Sequence, residues 1–199
     1  YEQIPSFLTG HMTSLKRTPA VRLALAFKIL TACRSIEVRG ASWSEIDIEA
    51  REWTVPATRM KSHHGIRVAH VVPLSKGALA VLTEAHSAKM ADCDLVFPSQ
   101  AGTMLSDNTL SKLMRDQVLN GVPHGFRSSF KDWATETNVD DFVSECCLAH
   151  TDENPVRAAY RRTTRLDERR KVMQAWSDYL GCPEGLAPRG HIDMPQSRA

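Results

Sequence analysis

Residues 41–57, ASWSEIDIEAREWTVPA, place Ile46 and Ile48, then Trp53 and Val55, at alternate positions. Period-two alternation puts such side chains on one face of an extended chain. The polar residues between the two pairs read as a turn, so the stretch predicts a strand, a turn and a strand. Further on, IRVAHVVPL (66–74) is rich in β-branched residues and predicts a third strand. The polar loop RMKSHHG (59–65) lies between the second strand and the third.

Around this block the pattern is helical. Thr18-Pro19 reads as an N-cap with proline at the first helical position. The run VRLALAFKILTAC behind it is apolar on most sides and predicts a buried helix over about 19–33. Ser75 caps a helix in SKGALAVLTEAHSAKM, LVFPS (95–99) is a short extended piece, and Ser106 or Asp107 opens a helix in DNTLSKLMRDQVL. Further helices are expected near 124–138, 140–149, 154–164 and 166–180, the last ended by Gly181, Cys182 and Pro183. Sheet and helices come in separate blocks. The fold class is therefore α+β: a mainly helical domain with a small antiparallel three-stranded sheet.

The 199 residues suffice for one sizeable core, and an apolar content of 42% is that of an ordinary globular protein. Five cysteines, an odd number without a C-x-x-C pair, argue against a disulfide framework and a cysteine-rich zinc site. No apolar run approaches the roughly 20 residues that span a bilayer. These features suit a cytoplasmic protein. His63, His64, His70 and His86 lack metal-ligand spacing, and no nucleotide-binding glycine motif occurs. Neither a metal nor another cofactor is expected. A net charge of +2 alone does not suggest nucleic acid, but seven Arg or Lys against two acidic residues crowd Arg157–Lys171. Such a cluster is ordinarily a solvated helix face; its sharper reading is a surface that contacts phosphates.

Six polar residues then stand out in order: Arg34, Lys61, His124, Arg127, His150 and Tyr160. Transfer at a phosphodiester requires a nucleophile, fixed cations for the charge on the non-bridging oxygens, and a proton for the leaving oxygen. Tyr160, bracketed by Arg157, Arg161 and Arg162, is the candidate nucleophile, since positive charge helps a phenol ionise. Arg34 and Arg127 are the candidate phosphate clamp, because guanidinium offers paired planar donors. Glu37, one turn beyond Arg34, would hold it in place. Lys61 is the candidate general acid, with Arg59 and Arg67 beside it as backbone-phosphate contacts. His124 and Arg127 share one face if HGFR opens a helix, and His150 would add a hydrogen bond to the phosphate. Each residue alone has a plainer role: a packed aromatic, a surface ion pair, a solvated lysine, a structural histidine. The ordered set raises them above it.

The stretches LTACRSIEVRGASWSEIDIEAREWTVPATRMK, HVVPLS, HGFRSSFKDWATE, LAH and AAYRRTTRLDERRKVMQAWSDYL, from about 30 to 180, closely resemble the catalytic domain of prophage integrases, a branch of the tyrosine recombinases. The resemblance implies a site-specific recombinase active on double-stranded attachment sites. Tyr160 would form a 3′-phosphotyrosyl link and release a 5′-hydroxyl, with Arg161 and Arg162 among the DNA contacts. It also implies a homotetramer on DNA, a host DNA-bending factor and an excisionase as partners, and a bacterial, nucleoid-associated location. Residues 1–182 would form the catalytic domain and 183–199 a flexible tail that packs on a neighbouring protomer. Arm-binding and core-binding domains would precede this piece. Family members often have glycine where this chain has Ala32 and Ala149, both small-for-small changes. A resolvase or type IB topoisomerase-like enzyme, or a DNA-binding accessory protein that keeps the fold without catalysis, are the alternative readings.

Overall fold

Helix α2, Pro19–Thr31, is the centre of the molecule, with ten of its thirteen residues buried. The computed structural model describes residues 1–11, 19–62, 65–116, 123–150 and 164–181. Around α2 lie α3 (Ser35–Arg39), α4 (Lys76–Ser87), α5 (Thr109–Asp116), α6 (Gly125–Glu136), α7 (Asp141–Cys147) and α8 (Leu166–Leu180). Ser75 and Asp140 cap α4 and α7, each accepting from the backbone N–H three residues on. Residue Gly77 lets α4 approach closely: a Cβ there would lie 2.6 Å from Ser177 Oγ of α8 and 3.1 Å from Leu30 of α2.

The sheet is an antiparallel meander of β1 (Ile46–Asp47), β2 (Glu52–Val55) and β3 (His70–Pro73). Trp53 pairs with both Ile46 and Val72, and Val55 with His70. The alternation is as expected: Trp53 and Val55 are fully buried and Thr54 faces out. Trp53 packs on Phe27 of α2, ring centres 5.3 Å apart, and Phe27 meets Phe97 at 5.4 Å. The third strand is shorter than the expected 66–74. Pro56, which lacks an N–H, and the 3₁₀ turn Ala57–Arg59 end β2 at Val55. Nothing in β2 remains to pair with 66–69, so Ile66 and Val68 are exposed.

Trp176 of α8 lies against Phe130 and Trp133 of α6 and donates from Nε1 to Ile29 O of α2 at 2.9 Å. Arg169, also on α8, is buried; it donates to Val71 O of β3 and, at 3.4 Å, to Thr164 O. At the other end of the chain, α1 (Ile4–Ser6) continues into a π-helical turn, Phe7–His11, which the sequence reading left without structure. Tyr1 packs on Tyr179 of α8 and donates to Glu136. The cysteines Cys33, Cys93, Cys146 and Cys147 are free thiols. No helix among the described residues is long and apolar enough to cross a membrane.

Candidate active site

Arg34 does not end the long helix, as the run of apolar residues suggested. Helix α2 stops at Thr31, Ala32 takes a left-handed conformation (φ 52°), and Arg34 is the N-cap of α3. The chain turns here because charged side chains hold its backbone. Arg127 Nη1 donates to Ala32 O at 2.6 Å, and Lys28 Nζ donates to Cys33 O at 2.8 Å. Glu37 closes the turn: one carboxylate oxygen accepts from the Arg34 backbone N–H at 2.6 Å, the other from its Nη1 at 2.8 Å. The Arg34–Glu37 partnership read from the sequence is present, in the geometry of a helix start.

Arg127, in the first turn of α6, is 3% exposed. Besides Ala32 O, it donates through Nη2 to Leu148 O at 2.6 Å and faces His150 Nε2 at 3.0 Å. Described residues thus take three of the five N–H groups of the guanidinium. Burial first, then the charge of Arg34, lowers the Arg127 pKa, so the two arginines are close enough to repel. An anion between them relieves that repulsion.

His150 is set by the end of α7. Its backbone N–H bonds Glu145 O, and the N–H of Ala149 bonds Cys146 O, with Ala149 left-handed at φ 49°. This is a Schellman turn, whose left-handed position usually holds glycine. Ala32 and Ala149, the two places where the resemblance leads one to expect glycine, are both left-handed. The substitutions are conformational, not merely small-for-small. Arginine can only donate, so the His150 Nε2 facing it accepts, and Nδ1 carries the proton towards Glu145 Oε2 at 2.7 Å. Burial and the charge of Arg127 lower the His150 pKa against the pull of Glu145, in keeping with a neutral ring. Burial pushes the Glu145 carboxyl up, but hydrogen bonds from Lys131 and His150 outweigh it and hold it low. Lys131 also bonds Asp141 and Ser144, each at 2.7 Å.

His124 is exposed at the start of α6. Desolvation, then the charges of Arg127, Lys28, Arg34 and His150, pulls it below its usual range, so it belongs to the same electrostatic cluster. Lys61 stands on the exposed segment between β2 and β3 and takes no part in the hydrogen-bonded cluster. Arg67 on that segment is exposed and donates to Thr58 O at 3.0 Å. Arg59 instead pairs with Glu45, which also accepts from Trp53 Nε1 at 3.0 Å. Its guanidinium lies over Gly40, so it also packs on the chain beside the hairpin. Tyr160, Arg161, Arg162, the tail and the body of the helix expected at 154–164 lie outside the described residues.

Three residues of the cluster were not singled out in the sequence: Lys28, Lys131 and Glu145. Lys28 had a signal, as the one charge inside ALAFKILTAC; a lysine within so apolar a helix needs a partner. Glu145 and Lys131 look like ordinary surface charges, and only the packing of α6 on α7 brings them together.

The chain is similar to several known proteins. The family model described as "Phage integrase family" matches residues 2–166. Prophage integrase IntA of Escherichia coli (strain K12) is 35% identical over 183 residues, which is 90% of this chain and 43% of that protein. The integrase of Enterobacteria phage P4 is 34% identical over 194 residues, 89% of this chain and 44% of its own length. The chain therefore spans under half the length of these relatives. Among solved structures, the integrase from mycobacterium phage Brujita superposes with a TM-score of 0.62 at 15% identity, covering 88% of this chain and 58% of the other.

Proposed function

Because the chain belongs to the phage integrase family, we propose that it is the catalytic domain of a site-specific recombinase. It cleaves and rejoins duplex DNA at attachment sites through a 3′-phosphotyrosyl intermediate, integrating or excising a mobile element. The observation that carries this reading is the cluster of Arg34, Arg127 and His150. Arg34, held by Glu37, and Arg127, held by two backbone carbonyls and beside His150 Nε2, form a preorganised pair of cations that suits a phosphodiester.

In this mechanism the Tyr160 phenolate attacks the phosphorus and the bond to the 5′-oxygen breaks. Lys61 gives that oxygen its proton, so a 5′-hydroxyl leaves, and rejoining runs the same steps backwards on another strand. Arg34 and Arg127 hold the non-bridging oxygens while charge builds on them. Being already turned by Glu37 and by the carbonyls of Ala32 and Leu148, they need little rearrangement. His124 moves protons at the tyrosine end. His150 turns its Nε2 from Arg127 to the phosphate when protonated, with Glu145 holding Nδ1. Arg67, Arg161 and Arg162 contact the DNA backbone.

Residues 1–182 form the catalytic domain, and 183–199 a tail that packs on a neighbouring protomer of a DNA-bound tetramer. A bending factor and an excisionase set the direction of the reaction, in the bacterial cytoplasm at the nucleoid.

The test is a nicked suicide duplex from the junction of the element, incubated with the full-length protein and with Tyr160→Phe. An SDS-resistant protein–DNA adduct that disappears in the variant is expected. A full-length protein that binds the duplex and forms no adduct refutes the catalytic reading and leaves an accessory DNA-binding protein.

A further inference from the structure

The peptide unit before Arg34 is gripped by charge on both sides. Its carbonyl, on Cys33, accepts from Lys28 at 2.8 Å, and its N–H donates to Glu37 at 2.6 Å. The carbonyl one residue earlier accepts from Arg127. Glu37 and Arg127 belong to the site already described, but the role of Lys28 is unassigned. It lies in the last turn of α2 and is 1% exposed. A buried ammonium with three donors is costly, and among the described residues Cys33 O is its hydrogen-bond acceptor. An apolar side chain of similar length would fill the same space without that cost. What distinguishes lysine here is where it delivers its charge.

We propose that Lys28 is a positioning residue of the phosphate site. It fixes the Cys33 carbonyl and with it the backbone of Arg34, and it adds positive charge behind Arg34 and Arg127. The proposal rests on the recombinase reading above.

The groups facing the ammonium are Arg127 of α6, Cys33 in the turn, and Glu37 and Arg34 of α3; His124, before α6, feels its charge in turn. Burial, then Arg127, pulls Lys28 down to about 8, with Arg34 acting the same way and Cys33 and Glu37 opposing. A phosphate diester brought between the arginines favours the charged form. The charge of the ammonium is therefore present below its pKa, about 8 in the free protein and higher with the diester bound, and fades above it.

The experiment measures single-turnover adduct formation by the full-length protein on the nicked duplex, from about pH 6.5 to about pH 9.5, for wild type, Lys28→Met and Lys28→Arg. Near neutral pH, Lys28→Met should slow cleavage about tenfold, the scale on which residues behind a site are felt. The ratio of wild-type to Lys28→Met rates should fall as pH rises above about 8, cancelling ionisations the two proteins share. Lys28→Arg keeps its charge throughout, so it should retain its rate where the wild type loses this contribution. The melting temperature of Lys28→Met reads the balance between the buried charge removed and the Cys33 carbonyl left without this donor.

A Lys28→Met protein with the wild-type rate, or one slowed by a factor that does not change with pH, overturns the proposal and leaves Lys28 as a helix cap. Should Lys28→Met not fold, Lys28→Arg decides: a decline parallel to that of wild type overturns it. If wild type itself forms no adduct, the recombinase reading fails and this inference with it. An adduct from wild type with no effect at Lys28 sinks the inference alone.

Discussion

Replacing Arg127 with lysine should damage the fold as well as the chemistry. The guanidinium bridges two carbonyls that belong to different elements, Ala32 O after α2 and Leu148 O after α7, each at 2.6 Å. A lysine keeps the charge but has one shorter, non-planar head, and it can serve only one of them. The loss is a hydrogen bond from a charged donor, about 1.5–3 kcal/mol, or the comparable cost of a buried carbonyl left alone. A net destabilisation of about 2–3 kcal/mol follows. In a chain of this size 1 kcal/mol moves the melting temperature by about 2–4 °C, so Arg127→Lys should melt about 4–12 °C lower. Thermal unfolding followed by circular dichroism reads this directly, and adduct formation well below the new midpoint reads the chemistry separately. Cleavage should be lost even where the variant is folded, since paired planar donors are gone. A midpoint within about 1 °C of wild type would mean that both carbonyls find other donors. The account of a site held from within would then be wrong.

Other consequences can be checked by similar means. Ala149→Gly should raise stability by about 0.5–1 kcal/mol, because the Schellman turn already holds this residue left-handed; Ala32→Gly should gain less, since it gives up a fully buried methyl. Urea unfolding would show it, and a loss at Ala149 would contradict the assigned φ. Gly77→Ala should cost about 1–2 kcal/mol despite better helix propensity, and Ser177→Ala in the same chain should recover most of it by removing the oxygen 2.6 Å from the new methyl. His70 is held neutral down to about pH 3, by burial first and then by Arg169. The unfolded chain takes up that proton near pH 6.5, so stability should be complete above this value and decline as pH falls towards 3. About 2 kcal/mol should go between about pH 7 and about pH 5, and His70→Gln should remove most of that slope.

Most of the larger elements announced themselves locally, whereas α1 and the short α3 did not. Trp53 and Val55 alternate, Ser75 caps, and 166–180 runs to its glycine stop as expected. The sequence was silent where partners decide. Strand β3 is cut to four residues by Pro56, just past the end of its partner strand β2, something the β-branched run at 66–74 cannot register. The end of α2 was overextended because the break at Ala32 is made by Arg127, ninety-five positions away, and by Lys28 bending back on the chain. Of the candidate site, Arg34, Glu37, Arg127, His150 and His124 stood out by type and spacing, and the structure gathers them into one electrostatic cluster. Glu145 and Lys131 were not, since nothing near them in sequence marks them as supports. Arg59 looked like one more cation on a basic loop until Glu45, fourteen residues earlier, took its charge.

The tie between Arg127 and Ala32 also bears on the order in which the chain assembles. It joins segments ninety-five residues apart, and Arg127 reaches a further twenty-one to Leu148. Loop closure over such separations comes late, after local helices and the hairpin have formed. A nascent or half-folded chain can therefore carry every residue of the clamp and still have no clamp. The arginines become rigid only once α6 and α7 have docked against the end of α2. The site thus takes shape at the close of folding, when those helices dock.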